Sequence, residues 1–213
     1  MKKKEKSTAM QFKKFVDMDV TDVEVRLHPK AKEFLFEHFV TMRKVFSDVL
    51  GQVETDYASI ALINQAGQIF FMSSNPSIEQ NLIEKSLWLF DGCFQSTFFS
   101  QDQPMLWSEL PYLGYIEAIK KYKQIEPGLI TGIYIPAEYE SYKAIFSFGL
   151  KRINPYIQNK SSIHCEKLLA MGKFALRRIQ EYLTFPDKQP CITAKPKLTL
   201  IINNQVTYEH TSG

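Results

Sequence analysis

The chain has 213 residues, enough for one domain with extensions and a sizeable core. Hydrophobic residues make up 45% and charged residues 23%, an ordinary globular balance that excludes a disordered chain. The net charge of +3 is too small to name a partner, and the lysines of the leading "MKKKEK" read as a solvated tail rather than a nucleic-acid arm.

Phenylalanine occurs 16 times, which favours a large, aromatic-lined interior. Cys93, Cys165 and Cys191 have no metal-ligand spacing and cannot all pair, so the reading is a reducing compartment with buried or half-buried thiols and no zinc site. The N-terminus has the charges of a signal peptide without its apolar stretch. No run approaches the length of a membrane span, so a cytoplasmic protein with no membrane partner is expected.

A polar lead of 1–27 comes first. The segment 28–51, "HPKAKEFLFEHFVTMRKVFSDVLG", then predicts a helix, with Pro29 in the first turn, apolar residues at helical spacing and Gly51 as a stop. Between Tyr57 and Met72, two apolar runs about Asn64 to Gly67 predict a β-hairpin. "NPSIEQNLIEKSLWLF" predicts a helix capped at Asn75 or Ser77, followed by an irregular, aromatic-rich connection over 91–111. "LGYIEAIKKYKQI" predicts an amphipathic helix ended by Pro127-Gly128, and "LITGIYIP" and "SYKAIFSFGLKR" two strands. The stretch 161–184 predicts the clearest helix, with Ser162 as cap and Pro186 forbidding continuation. Residues 187–213 read as a linker and a hairpin-like tail turning at Asn203-Asn204. This order points to an α+β fold, an antiparallel sheet with helices on its faces.

The four histidines lie in separate elements, and no nucleophile elbow, dinucleotide fingerprint or phosphate loop occurs. His164 and Cys165 are adjacent at a helix start and point to different faces. Asp91-Gly92 reads as a turn before it reads as half of an acid/base pair with Asp102. No catalytic constellation emerges, no cofactor is implied, and an enzyme is disfavoured.

The two tryptophans, Trp88 and Trp107, each combine an apolar ring with one N–H donor. That combination orients a small amphiphile, and it also simply fills a core. Trp107 lies in the loop "QDQPMLWSEL", between two helices that must fold over a sheet face, where a ligand chamber can be closed.

These residues carry a resemblance. "DQPMLWSEL" with the downstream "EPGLITGIYIP" resembles the ligand-sensing N-terminal domain of LuxR-type quorum-sensing transcription regulators. The carrying residues are Pro104 and Trp107 of a P-x-x-W, then Gly128, Leu129, Gly132 and Pro136; the likeness spans about 28–184, within an expected sensor domain of 28–186. Asp91, sixteen residues before Trp107, stands at close to the family's spacing for its aspartate. The resemblance implies an α/β/α sandwich, PAS/GAF-like, with an N-acyl-homoserine lactone held between sheet and helices. Asp91 would accept from the ligand amide and Trp107 would donate to the lactone carbonyl. "PSIEQNLIE" has no aromatic where the family carries a tryptophan and a tyrosine, and Gly92 replaces its proline, so a ligand of another class stays open. Expected wall residues are Phe70, Met72, Trp88, Phe99, Leu106, Tyr115, Ile133 and Tyr134. The expected partners are a signal-like amphiphile and a second copy in a homodimer. DNA would be reached only through a helix-turn-helix, which this sequence lacks. The rival expectation is a ligand-free interaction domain whose aromatics fill its own pocket.

Overall fold

The computed structural model describes residues 25–95, 98 and 103–188. Among the described residues, six strands form one sheet: β1 (Arg26–Leu27), β2 (Tyr57–Ile63), β3 (Gln68–Ser73), β4 (Met105–Leu106), β5 (Thr131–Tyr139) and β6 (Tyr142–Leu150), in the order β1-β3-β2-β6-β5-β4. The two hairpins predicted from the sequence form its centre. Gly67 takes a positive φ of 73° to close the first, where Asn64 Oδ1 accepts from the backbone N–H groups of Ala66 and Gln68. The four central strands are antiparallel, whereas β1 joins β3 in parallel, so the sheet is mixed.

Among the described residues, six helices cover it: α1 (Ala31–Glu37), α2 (Phe39–Val53), α3 (Pro76–Glu84), α4 (Ile116–Lys120), α5 (Pro155–Gln158) and α6 (Ser162–Tyr182). The single helix expected over 28–51 is broken at His38. On either side of the break, α1 packs on β3 and α2 on α6. The helix expected over 75–90 stops at Glu84, because Ser86 turns left-handed (φ 54°); a 3-10 turn over Leu87–Phe90 follows. Two residues of the expected polar lead enter the sheet as β1, and the start of the expected linker is tied down by a hydrogen bond from the Tyr142 hydroxyl to Asp187 (2.9 Å). The hairpin-like tail, with Cys191 and His210, lies outside the described residues.

Alternation along the strands divides the interior in two. Ile60, Leu62, Phe70, Met72, Ile133 and Phe146 face α1, α2 and α6. Residues of opposite parity, among them Tyr57, Ala61, Phe71, Tyr134 and Ile145, face a second layer that also holds Trp88, Trp107 and Ile119. On the first face α6 approaches so closely that a Cβ at Gly172 would stand 2.4 Å from the Phe146 ring. The layer on the second face is assembled from shorter pieces: α3, two 3-10 turns and the five-residue α4.

Candidate ligand-binding site

Strand register lays a polar row across the middle of the second face. Ser73 pairs with Ser59, Ser59 with Ser147, and Ser147 with Tyr134, one residue from each of β3, β2, β6 and β5. All four are buried. Hydroxyls at matched positions of adjacent strands form a continuous line, because directly opposed side chains share one side of the sheet. Above this line α3 brings Glu79, only 4% exposed. The Tyr57 hydroxyl bonds to Glu79 Oε1 and stands 2.9 Å from Ser59 Oγ. Loss of hydration in this apolar layer raises the Glu79 carboxyl above the usual carboxylate range, and the same cause, reinforced by Glu79 itself, raises Tyr57 well above its ordinary value.

Asp91 sits between the 3-10 turns Leu87–Phe90 and Gly92–Phe94 and is fully buried. Its Oδ1 accepts from the Cys93 backbone N–H (3.3 Å), and its Oδ2 from the Tyr134 hydroxyl (3.1 Å) and from the Lys123 ammonium. The next residue has no room for a side chain, since a Cβ at Gly92 would lie 2.3 Å from the Pro111 carbonyl oxygen. Lys123 is 3% exposed. It is carried inward by a π-helical turn, Lys121–Ile125, that continues α4, a geometry that rotates side chains away from their α-helical directions. Its Nζ lies 4.3 Å from the centroid of the Tyr134 ring and 5.2 Å from that of Trp107.

Trp107 is 1% exposed and lies over β5 and β6 at their two glycines, Gly132 and Gly149. Its backbone N–H donates to the Gly132 carbonyl (3.0 Å), and its own carbonyl accepts from the Tyr112 hydroxyl (2.9 Å). Its ring centroid is 6.0 Å from those of Tyr57 and Tyr134. Its Nε1 is buried with no hydrogen-bonding partner on the protein, and so are Glu79 Oε2 and Ser147 Oγ. Glu79, Ser147, Ser59, Tyr57, Lys123 and Tyr134 line a partly open hollow of about 20 Å³. That is room for a single water, so an amphiphile enters only if the covering layer moves. A larger cleft of about 210 Å³ lies between α1 and Thr184 to Lys188.

The residues expected from the sequence divide accordingly. Asp91, Trp107 and Tyr134 come together. Trp88 is on the same side, against Phe94 (6.5 Å between centroids). Phe70, Met72 and Ile133 belong to the opposite core, and Leu106 packs against that core too. Tyr115 is 64% exposed and meets Phe90 edge to face. Phe99 lies outside the described residues. Asp91, expected to accept from a ligand amide, already accepts with both oxygens from the protein itself. Sequence reasoning missed Lys123, Glu79, Tyr57 and the serine row. The one available signal was the serines that interrupt otherwise apolar strands, "YASIALI" and "FSFGL".

No protein-family model matches the chain, and no curated protein sequence matches it. Solved structures do. SdiA in complex with octanoyl-rac-glycerol superposes with a TM-score of 0.52 at 17% identity, covering 74% of this chain and 70% of that one. CepR2 from Burkholderia cenocepacia, described as an N-acylhomoserine lactone dependent LuxR family transcription factor, gives 0.52 at 11% identity, covering 71% and 97%. Another structure of SdiA, from Escherichia coli, gives 0.48 at 14%, covering 75% and 71%. The described chain shares the fold of LuxR-family ligand-binding domains.

Proposed function

We propose that the chain is a small-molecule-sensing domain of the autoinducer-binding type, belonging to a cytoplasmic transcription regulator that works as a homodimer and performs no catalysis. Its ligand would lie on the second face, between the serine row and the layer of α3 and α4. The observation that carries this reading is the set of three buried polar atoms without a protein partner, Glu79 Oε2, Ser147 Oγ and Trp107 Nε1, on one side of the sheet. Each such atom costs about 1–3 kcal/mol; Glu79 and Ser147 line the hollow and Trp107 is buried in the same layer, so the three unpaired atoms share one region of the core. A ligand bearing hydroxyl or carbonyl oxygens satisfies all three. The covering pieces are short, which keeps the cost of local opening low.

Two solved structures of this fold support an amphiphile as the ligand: SdiA holds octanoyl-rac-glycerol, and CepR2 is described as dependent on an N-acylhomoserine lactone. The first kind is favoured at Asp91: the carboxylate that the resemblance gives to a lactone's amide N–H already accepts from Lys123, Tyr134 and Cys93. The mechanism would be linkage: a ligand that binds only the folded state contributes about 2.7 kcal/mol at a hundredfold excess over Kd.

The test is thermal unfolding of the protein with octanoyl-rac-glycerol, below its micellar concentration, against N-octanoyl-homoserine lactone. The expected result is a saturable rise of about 5–10 °C with the glycerol ester and a smaller one with the lactone. A specific observation supports the second reading, a self-filled domain: Lys123 already occupies the carboxylate, and the hollow holds only about 20 Å³. A melting temperature unmoved by both amphiphiles selects that reading.

A further inference from the structure

We infer that Asp91, Tyr134 and Trp107 form an ammonium-binding site and that the Lys123 side chain is its tethered ligand. The receptor half is set independently of the lysine. Asp91 is positioned by its own 3-10 turn through the Cys93 N–H and by the Tyr134 hydroxyl at 3.1 Å, both from segments outside the π turn. The two rings stand at 4.3 and 5.2 Å from Nζ, so a carboxylate and two aromatic faces converge on one cation, the combination that selects ammonium over neutral groups. The ligand half arrives on the five-residue π turn, 32 positions along the chain from Asp91. A buried ion pair is a poor way to gain stability, since apolar residues of the same volume commonly do as well, whereas a buried carboxylate that has lost its cation is strongly destabilising. The site therefore demands a cation, and in this chain Lys123 supplies it.

Truncating the lysine should leave a cavity shaped for a primary n-alkylammonium, and this provides the test. Lys123→Ala is expected to lower the melting temperature by roughly 6–20 °C. Propylammonium chloride at millimolar concentration should recover much of that loss. It should leave wild type unmoved, n-propanol should not substitute for it, and the recovery should vanish in the Lys123→Ala, Asp91→Asn double variant. If Lys123→Ala does not accumulate folded, the same comparisons are read as folded yield on refolding from urea with and without propylammonium. The inference is overturned if propylammonium acts on Lys123→Ala no more than on wild type, no more than propanol does, or equally without Asp91. This result is independent of the sensor proposal, which is read from the amphiphile response of the unaltered protein.

Discussion

The indole of Trp107 lies so tightly on Gly132 that a Cβ at position 132 would stand 2.3 Å from its Cε2, and a Cβ at Gly149 would stand 2.7 Å from its Cη2. The glycine of the "GLITG" stretch is thus explained by the tryptophan of the preceding loop: the strand gives up a side chain so that the ring can lie flat on the sheet. Gly132→Ala should destabilise the domain by about 1–3 kcal/mol through overpacking. Combined with Trp107→Leu, whose branched side chain can yield, the two substitutions should cost less than the sum of the singles. Urea unfolding of the four proteins measures the coupling, and strict additivity would show that the ring does not press on Gly132.

Ser147 offers a simpler case, because its hydroxyl is buried with no partner. Ser147→Ala should leave stability unchanged or raise it by about 1–3 kcal/mol, while weakening any stabilisation by octanoyl-rac-glycerol. Thermal unfolding with and without the ester reads both effects, and a clear loss of basal stability would mean that the hydroxyl is bonded after all.

Glu79 gives the pH signature. Burial raises its folded-state pKa, so the folded protein keeps a proton that the unfolded chain releases above the ordinary value of 4.5. Its contribution to stability is complete below that value and falls as pH rises from there through the raised folded-state pKa. Glu79→Gln lacks this proton and should show a flatter urea midpoint from pH 4 upward. Identical pH profiles for the two proteins would place the Glu79 carboxyl in water.

Much of the fold was legible because its signals are local. The turn at Asn64 to Gly67, the strands on either side of Glu140 and the long apolar stripe of α6 appear where turn chemistry and periodicity place them. The two-residue strands β1 and β4 were not legible, since nothing but the neighbouring strand makes them strands. Phe70 and Met72 were assigned to the site's wall for a related reason: β3 is covered on both sides, so its alternation carries no polar face to say which parity meets the site. Lys123 was the hardest. In "IKKYKQI" a lysine reads as the wet side of an amphipathic helix, and only the π turn swings it beneath the surface.

The most direct trial of the sensing proposal is fluorine NMR on protein labelled with 5-fluorotryptophan, whose two resonances, from Trp88 and Trp107, are assigned with Trp88→Phe. Titration with octanoyl-rac-glycerol should move the Trp107 signal saturably, as its unpaired N–H gains an oxygen and the layer above it parts. A Trp107 signal that stays fixed in the folded protein, at ester concentrations where SdiA binds, would contradict it.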